Sequence, residues 1–134
     1  MAVTVGVAAA DAPPLNQGTV AKRTADLDRW LFEVRTANDA DAASGAVQQA
    51  TTAIARAREP GAKLDTVLRA QSIAEASLVL AERQIARQQA AAALLAAEER
   101  VANTRERANA QRRVLEALMR ERATLALAEE EAKP

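Results

Sequence analysis

The chain of 134 residues contains no cysteine and no histidine. Disulfides, thiolate chemistry and the usual zinc sites are thereby excluded, because each needs one of those side chains. Aromatic residues are nearly absent, with one Trp, one Phe and no Tyr. Large rings carry much of an ordinary core, so a conventional globular core is not expected. Neither sign of charge is in excess, with 18 basic and 18 acidic residues. That balance removes any general electrostatic attraction to nucleic acid or an anionic membrane. No apolar run approaches the roughly 18 residues needed to cross a bilayer. Gly and Pro number four each, and none of them falls between Lys63 and Ala132.

That breaker-free stretch organises the chain. It is built mostly of Ala, Arg, Glu, Gln and Leu, the residues that lose least when fixed in a helix. As one helix it would run about 100 Å at 1.5 Å per residue, too long for the inside of a small globule. Composition and periodicity together belong to long helices and coiled coils. The expected fold is all-α, a helical hairpin with one long C-terminal helix. A seven-residue frame puts Ile73, Leu80, Arg87, Leu94, Val101, Ala108, Leu115 and Arg122 at one seam position. The second position then holds Ala76, Arg83, Ala90, Ala97, Thr104, Gln111, Leu118 and Leu125. Most are apolar, as a coiled-coil seam requires. Several are only Ala, so at about 25 cal/mol per Å² of apolar area Leu and Ile must supply most of the stabilisation.

The seam is uneven. Leu78, Leu80, Ile85, Leu94, Leu95 and Val101 form one apolar patch, and Val114, Leu115, Leu118, Met119, Leu125 and Leu127 a second. Between them, Asn103 to Arg113 is polar nearly all round, and such a helix either bridges solvent or is unstable. An unbroken helix is expected because no breaker is present. The alternative is a turn between Asn103 and Asn109, which would give a three-helix bundle.

Ahead of the long stretch, residues 1–18 read as a flexible tail, closed by Pro13-Pro14 and Asn16-Gln17-Gly18. The alternative is a truncated export signal, because small apolar residues end in an Ala-x-Ala pattern before Asp11. Residues 19–134 are expected to form a single helical domain with helices at about 19–36, 46–58 and 63–131. Thr19 is a candidate N-cap, and Val20, Thr24, Leu27, Leu31 and Val34 recur at helical spacing behind it. Trp30 beside that stripe has two readings: packing on the second half of the long helix, or an anchor for a partner. Asp41 or Ser44 could cap the second helix. Glu59-Pro60-Gly61 is the clearest punctuation. It is short enough to fold residues 46–58 antiparallel to residues 66–80, with Asp65 as the next cap.

Chemistry is hard to place on this chain. Without His, Tyr or a Gly-rich phosphate loop, and with carboxylates spread singly along helix faces, no catalytic pocket is expected. Neither a metal nor a cofactor site is expected. Residues 100–122 hold seven Arg against three Glu, read as a solvated face. Nucleic-acid binding there is disfavoured because no stacking aromatics accompany the run. The expected function is a non-enzymatic helical scaffold or coiled-coil interaction module. Its partner would be another protein or a second copy, engaged through Trp30, Leu94, Val101, Leu115, Leu118 and Leu125. Residues 50–108, through Ala53-Ile54-Ala55-Arg56-Ala57-Arg58, Gly61-Ala62, Leu68-Arg69-Ala70, Ala74, Leu80-Ala81 and Ala92 to Ala97, resemble an Ala-rich helical family of bacterial envelope proteins. The same features are similar to small coiled-coil stalk and rod proteins of bacterial export machines. The resemblance implies an envelope or secretion-adaptor setting, while the residues alone leave periplasm and cytoplasm both open.

Overall fold

A computed structural model describes residues 17–134. Of the tail expected over residues 1–18, residues 1–16, with the alternative export signal, lie outside the described residues, while Gln17 and Gly18 are not tail but the start of a helix. The order of elements is α1 (Gln17–Thr36), a 3-10 turn (Ala40–Ala43), α2 (Ser44–Ala57) and α3 (Leu64–Glu131). The described residues are all-α, with no strand among them.

Local chemistry explains most boundaries. α1 is already helical at Gln17, so Thr19 lies inside its first turn rather than ahead of it. Asp39 sits in the left-handed region at φ 63°, a conformation that Asp accepts more readily than most L-residues. It turns the chain straight into the 3-10 segment, which leads directly into α2. Neither Asp41 nor Ser44 therefore acts as a side-chain cap: Ala43 precedes α2 and makes no side-chain cap bond. The Ser44 backbone N–H is satisfied instead by the Asp41 carbonyl.

The connection from α2 to α3 is a tight turn at the expected place. The Ala62 N–H donates to the Glu59 carbonyl at 3.2 Å, and Gly61 has φ 77°. Pro at the second position with a positive-φ Gly at the third is the arrangement of a type II turn. Asp65 falls in the first turn of α3 rather than at its cap, where its charge still opposes the positive helix end.

The chain divides into two units, one ending at Gln89 and the other covering Ala90–Pro134. In the first, α1 contributes Thr24, Leu27, Leu31 and Val34 to the interior. α2 contributes Ala46, Ala50, Ala53 and Ile54. α3 contributes Val67, Ala70, Gln71, Ala74, Ser77, Leu78, Ala81 and Ile85. Three helices thus share one core. Hydrogen bonds fix the direction of α1. Gln71 Nε2 donates to the Val20 carbonyl, Arg23 Nη2 to Glu75 Oε2, Trp30 Nε1 to Glu82 Oε1, and Gln89 Nε2 to the Asn38 carbonyl. Each partner lies 51 or 52 residues further on, so α1 runs parallel to the start of α3. α2 runs antiparallel to α1, and Arg58 at its end pairs with Asp28 at 3.0 Å.

The buried face of α3 differs from the seven-residue frame read off the sequence. Ile73 and Leu80 are 37% and 47% exposed, and Ala76 and Arg83 are also exposed. The core uses Ala74, Leu78, Ala81 and Ile85 instead. The physical reason is helix proximity. Ala74 and Ala81 lack bulk, so the neighbouring helices close onto them and bury them completely.

The second unit is a single stretch of α3. It passes through Asn103 to Asn109 without a break, so the alternative turn there does not occur. With no Gly or Pro and long runs of good helix formers, nothing in the backbone favours leaving the helix.

Candidate protein-interaction surface

The surface is built by helical periodicity alone. At 3.6 residues per turn, positions seven apart return to nearly the same side, and positions three or four apart flank it. Leu94, Val101 and Leu115 lie seven or fourteen residues apart, and Leu118 and Leu125 follow at the matching offset. These five therefore share one stripe. Val114 and Met119 border it, whereas Leu95 and Leu127 face elsewhere by the same spacing. The nine large apolar side chains from Leu94 to Leu127 are between 50% and 64% exposed. Within the second unit, Ala97 is the one residue that is even half-buried.

The stripe is polar in its middle. Thr104, Ala108 and Gln111 continue it between the two Leu-bearing ends. Arg105, Arg107, Arg112 and Arg113 surround that middle. Arg112 and Glu116 form an i,i+4 pair at 3.8 Å, a contact that in solvent contributes only a few tenths of a kcal/mol. The ends of the stripe can bury apolar area against a partner. Its middle can only guide one.

Trp30 is placed differently from the other five sequence-derived residues. It packs half-buried against the core of the first unit. Its indole N–H donates to Glu82 Oε1 at 2.6 Å. The partner it reaches, Glu82, lies in the first third of α3. The sequence offered no signal for Glu82, since one Glu among many on a helix looks like any other. The exposed ring of the first unit is Phe32, at 68%.

One open groove of the first unit is lined by Gln17, Val20, Thr24, Arg58, Leu64 and Val67 among others, mostly alkyl groups with an amide, a hydroxyl, one cation and no carboxylate. Among the described residues, no group of three or more carboxylates is placed to hold a metal ion. Nor is any described helix long and apolar enough to cross a membrane. No protein-family model matches this chain, and comparisons with characterised proteins and with solved structures find none similar to it.

Proposed function

We propose that this protein is a non-enzymatic helical scaffold that acts by pairing the uncovered stripe of α3 with another helix. One observation carries the reading: Leu94, Val101, Leu115, Leu118 and Leu125 hold the two seam positions of one seven-residue frame, a stripe that winds slowly around the helix, and all are exposed. A recurring seven-residue spacing of Leu and Val is what knobs-into-holes packing uses, and contiguous exposed apolar surface marks interaction sites. The first unit holds its own core. The resemblance of residues 50–108 to Ala-rich envelope proteins supports an envelope setting for the scaffold.

Photo-crosslinking in cells tests this. A photoreactive residue at Leu118, on the stripe, is expected to give higher-mass adducts that disappear when Leu115 and Leu125 are changed to Asp. The same group at Arg120, on the opposite side of the helix, is expected to give none. Equal adducts from both positions, or none from Leu118, would overturn the reading.

A further inference from the structure

The stripe has a direction, and its charges discriminate between ways of pairing it with itself. We infer that its occupant is a second copy of this chain, running antiparallel, with Leu94 of one copy beside Leu125 of the other. The inference rests on the helix-pairing reading above and adds the identity and orientation of the partner.

Consider the parallel arrangement first. In register, it would stack Arg122 on Arg122 within the seam and Gln111 on Gln111. The flanking positions would bring Arg100 beside Arg105 and Arg107 beside Arg112, each twice by symmetry. All four flanking contacts are between like charges, and no opposite pair offsets them. Like charges so placed select against an arrangement.

The antiparallel arrangement also covers both apolar ends of the stripe, as the parallel one does by stacking each Leu or Val on itself, so the difference lies in the charges. Leu94 meets Leu125 and Val101 meets Leu118, again each twice. Leu115 meets Thr104, Ala108 meets Gln111, and Arg122 falls beside Ala97, where its chain can reach out to water. At the flanks Arg100 faces Glu121 twice. Arg105 faces Arg112 twice, at the polar centre of the stripe. Two opposite pairs thus offset two like pairs, against four like pairs and none opposite in the parallel case.

Register is constrained as well. Sliding one copy by a heptad in one direction places Val101 on Gln111 and Leu125 on Arg87. Sliding it the other way places Leu118 on Ala108 and Leu115 on Gln111. Each shifted register keeps one pair of large apolar residues, Leu94–Leu118 or Val101–Leu125, whereas the Leu94–Leu125 register keeps two.

Analytical ultracentrifugation of the full chain over a concentration series is the first test, with a reversible monomer–dimer equilibrium expected. Orientation is read by cysteine pairing, which is clean because the native chain has no cysteine. Val101→Cys and Leu118→Cys proteins mixed in a glutathione buffer are expected to give mainly the mixed disulfide. Homodisulfides in excess would mean parallel pairing and overturn the inference. Charge reversal supplies a second reading on folded protein. Glu121→Arg should weaken the dimer at least several-fold, and Arg100→Glu added to it should restore the affinity. Failure of that rescue would also count against the antiparallel register. A strict monomer at all concentrations that still gives Leu118 adducts with other proteins would sink self-pairing and leave the scaffold reading standing. A monomer with no adducts would sink both.

Discussion

Gln71 is the residue whose environment is least like its chemistry. It is fully buried, and its Nε2 donates to the Val20 carbonyl at 2.9 Å and to Thr24 Oγ1 at 2.8 Å. Its Oε1 has no partner among the described residues. An orphaned buried acceptor costs about 1–3 kcal/mol, whereas replacing a polar group by an apolar one of similar shape can be nearly neutral. The partners would not be stranded by its removal, because Thr24 Oγ1 donates to the Val20 carbonyl itself at 3.1 Å. Gln71→Met is therefore expected to leave stability within about 1 kcal/mol of the native value or to raise it. A urea titration showing a loss above about 3 kcal/mol would mean that the amide does more than fix the alignment of α1 on α3.

The small residues of α3 make the opposite case. Ala74 and Ala81 are fully buried where the sequence drew attention to Ile73 and Leu80. Size and hydrophobicity favour the larger residues as core, yet the helices approach closely only where side chains are short. That is why the heptad frame missed the true face by one position, while the existence, order and approximate limits of the helices were legible. Breakers and turn chemistry act locally, so Glu59-Pro60-Gly61 could be read directly. Which face a neighbouring helix selects depends on that neighbour, and no local pattern records it. The same reason hid the pairing of Trp30 with Glu82. On this argument Ala74→Leu should cost about 1–3 kcal/mol by overpacking, while Leu80→Ser, at a half-exposed position, should stay within about 0.5 kcal/mol. Chemical denaturation of the two variants in parallel checks the order, and the reverse order would restore the original frame.

At the scale of elements, α3 serves two purposes along one uninterrupted helix. Every residue buried in the described structure lies at or before Ile85. Helical hydrogen bonds continue past that point, but tertiary burial does not. Ending the chain after Gln89 removes no buried side chain and keeps the Gln89–Asn38 contact. The shortened protein is expected to stay folded, with a melting temperature within a few degrees of the full chain's upper transition. Loss of cooperative unfolding on truncation would show that the first unit depends on the second. The exposed stripe itself was legible, because Leu and Val at sevenfold spacing need only helical geometry to line up. The polar stretch from Asn103 to Arg113 was harder, since weak periodicity is compatible with either a turn or a solvated helix. The absence of Gly and Pro settles it in favour of the helix.

For the whole molecule, the two units should answer to different variables. The first unit holds an intramolecular core, so its unfolding does not depend on how many copies are present. The helix of the second unit has only its own hydrogen bonds unless its stripe is covered, and the helicity of an isolated helix falls as temperature rises. If a second copy covers the stripe, mass action ties that helix to protein concentration. Far-ultraviolet circular dichroism should then show two steps on heating. The lower one would shift upward with concentration, and the upper one would stay fixed. Leu118→Glu with Leu125→Glu should move the lower step down and abolish its concentration dependence, because two charges per copy then face an apolar layer. The upper step should be untouched, since neither residue belongs to the core of the first unit. A single transition, unchanged by concentration and by these substitutions, would instead mean that the C-terminal helix holds its structure by intrinsic propensity alone. The apolar stripe would then contribute nothing to its stability.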